Sequence, residues 1–170
     1  MVVFYRRMPR FEYLKPQSFQ DVLELLQDDT PNRYRVFAGG TNLMDQLKQR
    51  KIDVPETVID LKGLAELDYI KFDKSTGLRI GALTTVTDVA KSPEIEQHYQ
   101  ALSQGAREIA SIQIQNRATI TGNICNAVSS ADSAPPLLAL GAEVICASGK
   151  GERTIKIEDF FTGPGKTVLQ

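Results

Sequence analysis

Val36-Phe37-Ala38-Gly39-Gly40-Thr41-Asn42-Leu43 runs a short apolar strand into two glycines and then into residues that suit a helix start. Glycine lets backbone approach a ligand closely and supplies unusual φ/ψ. The free N–H groups of a helix start, together with the helix dipole, attract phosphate. Thr41 and Asn42 add side-chain donors. The same stretch also reads as a tight strand-to-helix turn with no ligand. It does not match G-x-G-x-x-G, and it lacks the Lys of a P-loop, so neither of those nucleotide sites is supported.

A second informative stretch is Gln113-Ile114-Gln115-Asn116-Arg117-Ala118-Thr119-Ile120-Thr121-Gly122-Asn123-Ile124-Cys125-Asn126-Ala127. Small and hydroxyl-bearing residues crowd the positions from Thr119 to Asn123. Their N–H groups and hydroxyls can surround a second phosphate or a ring edge. Ser130-Ala131-Asp132-Ser133 follows. Asp132 there has two readings: an acceptor for ribose hydroxyls, or an N-cap for a helix over 133–140.

Working outward, Ser18 with Asp21 three residues on forms a near capping box for a helix over 18–27. Phe19, Val22, Leu23, Leu25 and Leu26 give that helix an apolar face. Thr41 caps an expected helix over 41–51. Strands are expected over 34–38, 57–61, 68–72 and 78–82, and a hairpin over 142–147 and 153–157. Residues 86–91 and 93–109 read as helical, and 118–120 as extended. Strands and helices mix without regular alternation, which favours α+β over a doubly wound sheet.

Composition narrows the function classes. Lys and Arg total 20 against 21 Asp and Glu, a net charge of −1, so no electrostatic case exists for nucleic acid or an anionic membrane. His98 is the only histidine, and Cys125 and Cys146 are the only cysteines. No zinc site, iron–sulfur cluster or His-based triad can be assembled from these. His98 lies among polar residues and reads as solvated. Cys125 and Cys146 read as packing residues. The opening residues carry only a short apolar run before Arg6 and Arg7, without a cleavage site, and no stretch is long enough to span a bilayer. The expected location is the cytoplasm.

Taken together, five ordered blocks resemble the FAD-binding domain of molybdopterin dehydrogenases, the xanthine and carbon monoxide dehydrogenase type. Ala38-Gly39-Gly40-Thr41-Asn42-Leu43 looks like the family's first FAD loop, and Arg117-Ala118-Thr119-Ile120-Thr121-Gly122-Asn123-Ile124 like its second. Ile80-Gly81-Ala82-Leu83-Thr84-Thr85, Ser130-Ala131-Asp132-Ser133-Ala134-Pro135 and Phe160-Phe161-Thr162-Gly163-Pro164-Gly165-Lys166-Thr167 are also similar to the family's pattern. Two positions depart from it. Thr121 stands where the first of two glycines is usual, and Gln115 where Arg is common.

The resemblance implies an α+β fold of two lobes, of the vanillyl-alcohol-oxidase type, with FAD between them. The first lobe would span 1–60 and the second 61–170, and the family's further C-terminal domain would be missing from this chain. The backbone of Val36, Phe37, Ala38, Gly39, Gly40, Thr41 and Asn42, with the Thr41 side chain, would hold the pyrophosphate. Thr119, Gly122 and Asn123 would hold the phosphates and ribityl chain. Asp132 would meet a hydroxyl on the adenosine side, and Ile109 would touch the cofactor. The implied role is electron transfer. FAD would take electrons from iron–sulfur clusters of a small subunit, fed by a large subunit that carries the molybdenum cofactor, and pass them to NAD, a quinone or another acceptor. No catalytic or metal-binding residue is expected on this chain. Two other classes use the same turns: a self-contained flavin oxidase, which needs a cap over its substrate, and a nucleotide-binding module without redox chemistry. A flavin absorption spectrum and co-purification with metal-bearing subunits discriminate them.

Overall fold

The computed structural model describes residues 7–169. The reading of the opening residues, Arg6 included, lies partly outside them. Three strands form a parallel sheet in the order β1-β3-β2: β1 (Glu12–Leu14), β2 (Tyr34–Phe37) and β3 (Thr57–Asp60). All four residues of the central β3 are buried, as a strand covered on both faces requires. Helices α1 (Phe19–Leu25) and α2 (Leu43–Gln49) make the connections. The capping box at Ser18 is complete. The Asp21 N–H donates to Ser18 Oγ, and the Ser18 N–H donates back to the Asp21 carboxylate.

The start of α2 corrects the expectation of a Thr41 cap. The helix begins at Leu43, with Asn42 at the N-cap and no side-chain capping bond. The cause is Gly40, whose φ of 74° turns the chain before the helix can form. The Met44 N–H then donates to the Gly40 carbonyl at 3.0 Å, the first rung of the ladder.

Beyond β3 the chain forms an antiparallel hairpin of β4 (Ile70–Asp73) and β5 (Gly77–Ile80). Helices α3 (Val86–Lys91), α4 (Pro93–His98), α5 (Gln100–Glu108), α6 (Ile112–Gln115), α7 (Ile120–Cys125) and α8 (Ala134–Ala139) follow. A second hairpin, β6 (Glu143–Ser148) with β7 (Gly151–Lys156), leads through α9 (Ile157–Phe160) to a small pair, β8 (Phe161–Gly163) and β9 (Lys166–Thr167). The fold class is α+β, as the sequence indicates.

Two expectations change. The helix over 93–109 is two helices, broken at Tyr99 (φ −138°, ψ 47°). The Tyr99 ring sits edge-on to Phe72 at 6.0 Å. Within 118–120, Thr119 is extended, but Ile120 already opens α7. His98 is exposed as expected, yet its ring stacks on Phe72 at 4.3 Å.

Burial divides the apolar residues into two clusters. One gathers Val22, Ile59, Leu61, Leu64 and Leu83 around the parallel sheet. The other gathers the α3, α5 and α7 residues, including Val89, Leu102, Ala106, Ile120 and Ile124. Each removes several large side chains from water, worth about 2 kcal/mol apiece on burial.

Candidate functional site

The turn after β2 packs against the turn before α7, backbone to backbone. A Cβ placed on Gly39 would stand 2.1 Å from the Arg117 carbonyl oxygen and 2.9 Å from the Ala118 Cα. Only glycine permits that approach. Gly40 is shielded differently: a Cβ there would meet the Phe37 ring at 2.0 Å. A side-chain bond adds a second tie, since Asn42 Nδ2 donates to Asn126 Oδ1 at the end of α7.

The second turn is held on its other side by residues 84–86. The Val86 N–H donates to the Ala118 carbonyl at 2.8 Å, and Thr85 bridges to Thr119. Thr119 caps α7, its Oγ1 accepting from the Gly122 N–H at 2.9 Å. Thr121 lies inside α7 and outside the left-handed region, so the missing glycine costs nothing at that position. Gln115 also has a defined role. Its buried amide donates to the Arg107 and Ile109 carbonyls, each at 2.9 Å, and so satisfies the turn after α5.

Between the two turns lies a cleft of about 310 Å³. Ala38 and Gly39 line it from the first turn, and Arg117 and Thr119 from the second; Lys62 and Asp68 complete its charged lining. Its size falls within the ordinary range for ligand clefts. The structure therefore brings Ala38, Gly39 and Thr119 to one space. Phe37, Gly40, Thr41 and Asn42 are half-buried and do not line the cleft, and Val36 is exposed on β2.

Other expected site residues are placed elsewhere. The Ile109 side chain is 5% exposed and belongs to the second apolar cluster. Gly122 is exposed. Asn123 Oδ1 accepts from Ser133 Oγ at 2.6 Å, which leaves its amide group to donate. Asp132 is exposed and does not cap α8; Ser133 takes the N-cap position, without a side-chain capping bond.

Lys62 was not singled out by sequence. It follows β3, the strand whose end anchors the site's charge. Asp60 there is only 3% exposed. Its Oδ1 accepts from the Lys62 N–H at 2.9 Å and from Lys62 Nζ at 2.7 Å, and its Oδ2 accepts from the Tyr13 hydroxyl. Burial pushes the Asp60 carboxyl upward, but the bonds from Lys62 and Tyr13 outweigh it and hold the group below its usual value. The same contact, together with burial, raises the Tyr13 hydroxyl above its own. The legible signal was Asp60-Leu61-Lys62-Gly63, a charged pair and a glycine closing an otherwise apolar strand.

A larger depression, about 540 Å³, lies beside α1 and is lined by Lys15, Asp21, Glu24 and Asp28 among others. Asp21 there closes the capping box, and Asp28 pairs with Arg33 and Thr30. Both Cys125 and Cys146 are free and half-buried. Burial, with Cys146 adding, pushes the Cys125 thiol up to about 11, so it stays protonated and unreactive near neutral pH. Among the described residues there is no metal-binding cluster, and no helix is long and apolar enough to cross a membrane.

Two glycine turns meeting over a charged cleft, each backed by its own apolar cluster, define an α+β ligand-binding domain. Residues 9–170 match the FAD binding domain in molybdopterin dehydrogenase, and the chain belongs to that family. It is 38% identical over 158 residues to a xanthine dehydrogenase FAD-binding subunit of Escherichia coli, covering 93% of this chain and 53% of that one. It is 35% identical, with the same coverage, to the nicotinate dehydrogenase FAD-subunit of Eubacterium barkeri. Among solved structures it resembles the carbon monoxide dehydrogenase of Hydrogenophaga pseudoflava, with a TM-score of 0.90 and 32% identity over 96% of this chain and 56% of that one. The chain thus spans about half the length of the curated relatives it matches.

The cleft's chemistry fits the family's cofactor. Lys62, paired with the buried Asp60, and Arg117 line it with Asp68 as the one carboxylate in the lining, so two cationic donor groups face a ligand there, a set that can meet a diphosphate.

Proposed function

We propose that this chain is the FAD-binding portion of an electron-transfer subunit in a molybdenum-containing hydroxylase. FAD would be held between two lobes of the vanillyl-alcohol-oxidase type, residues 1–60 and 61–170. The observation that carries this reading is the contact of Gly39 with Arg117 and Ala118, which joins two turns far apart in sequence into one wall. Backbone N–H groups from 36–42 and the Thr41 hydroxyl bind the pyrophosphate. Thr119, Gly122 and Asn123 bind the phosphates and ribityl chain, Asp132 meets a hydroxyl on the adenosine side, and Ile109 backs the cofactor from the core.

The protein's own residues bind and orient the flavin and exclude water from it; none acts as an acid, base or nucleophile. Bound FAD would supply the redox chemistry, electron transfer from an iron–sulfur subunit served by a molybdenum subunit to NAD, a quinone or another acceptor. The complex works in the cytoplasm. A titration of the purified chain with FAD tests the cofactor: a stoichiometric flavin spectrum retained after gel filtration is expected, and its absence argues for a module without flavin. Co-expression with an iron–sulfur small subunit and a molybdenum large subunit of this family tests the partners, with co-purification as the expected result. A free-standing chain that oxidises an organic substrate on its own would favour the oxidase reading instead.

A further inference from the structure

Lys62 lines the cleft, and its side chain is 30% exposed. Two contacts fix its ammonium. Asp60 Oδ1 accepts from it at 2.7 Å, and the Phe37 ring centroid lies 3.4 Å from Nζ. An ammonium has three donors, and these two contacts leave one for a ligand. Phe37 is also the ring that fills the space beside Gly40. Ammonium, ring and glycine turn are therefore registered on one another, and β-pairing of Phe37 with Asp60 keeps them so. Arg117 lines the same cleft, exposed and without a side-chain partner among the described residues.

A charge held this way loses little conformational freedom when it meets an anion. We infer that Lys62 is a further binding residue of the cleft, its ammonium giving a fixed charge-assisted donor to the diphosphate of the ligand. Asp60 is its positioning residue, and the Tyr13 hydroxyl steadies Asp60 in turn. This inference rests on the FAD reading above.

Removing Lys62 alone would orphan a buried carboxylate and threaten folding. The test therefore compares Asp60→Asn with the double variant Asp60→Asn/Lys62→Met, both checked for native circular dichroism. Their affinities for FAD and for riboflavin, which lacks the diphosphate, are measured by flavin fluorescence at low and high salt. The expected result is FAD binding about tenfold weaker in the double variant, the typical weight of one charge-assisted bond. The gap narrows with salt, and riboflavin binds both equally. Lys62→Arg in the Asp60→Asn background recovers most of the loss.

Equal FAD affinity in the two variants overturns the inference. Equal losses for FAD and riboflavin overturn it too, and assign Lys62 to shaping the turn through Phe37. A wild-type chain that binds no FAD overturns the flavin reading and this inference with it; wild-type binding with no difference between the variants overturns this inference alone.

Discussion

The two turns that meet at the cleft are built on different principles. The first, 36–42, is fixed by backbone. Gly39 touches the opposing carbonyl, Gly40 has φ of 74°, and no side chain caps the helix that follows. The second, 117–123, is fixed by a side chain, the Thr119 hydroxyl on the Gly122 N–H. Glycines of similar appearance in the sequence thus do unequal work. The first turn has no room for a methyl group, whereas a methyl group at Gly122 of the second would meet only the capping oxygen.

The largest effect should follow from Gly39→Ala. Its Cβ would collide with backbone atoms that no rotamer change can move, so a loss of about 3 kcal/mol in urea unfolding is expected. A loss below about 0.5 kcal/mol, the level of a neutral surface change, would break the comparison at its centre. Gly40→Ala should cost less, about 2 kcal/mol, from the left-handed backbone and a displaced Phe37 ring. Thr119→Ala should cost about 1 kcal/mol by removing the cap. Gly122→Ala sharpens the contrast. Its Cβ would meet only Thr119 Oγ1, at 2.8 Å, and alanine's helix preference of about 1 kcal/mol over glycine offsets the disturbed cap. Near-neutral stability is expected there.

The smallest effect concerns acid. Asp60 pairs with Phe37 at the end of β2, beside the first turn, and its folded carboxyl titrates below the usual value. Its contribution is therefore present above the unfolded value of about 4 and fades as pH falls through the lower folded value. The stability gap between wild type and Asp60→Asn should narrow below about pH 4 in acid unfolding curves. A gap that widened there would reverse the sign of the shift. The effect is small because burial opposes the hydrogen bonds that lower the value.

Much of this was legible in sequence. The α1 capping box, the β2 strand and its glycines, and both hairpins were readable because each depends on neighbours a few residues apart. The α2 boundary was not, because Thr41 is a good cap by type and only the conformation at Gly40 removes it from that role. The break at Tyr99 was hidden for a similar reason, as the residues around it are acceptable helix formers and a distant ring, Phe72, receives the tyrosine. The assignment of Asp132 had two readings, and the capping one is removed by Ser133. Asp60-Leu61-Lys62-Gly63 marks the strand end in sequence, but the placement of Lys62 was hidden, because it depends on a buried aspartate, a ring on another strand and a tyrosine at the far edge of the sheet.

Hydrogen exchange by mass spectrometry, with and without FAD, tests the shared grip most directly. If one ligand is held from both sides, peptides covering 36–42 and 117–123 slow together at the same FAD concentration. Protection of only one of them, or slowing confined to other parts of the chain, would contradict the account.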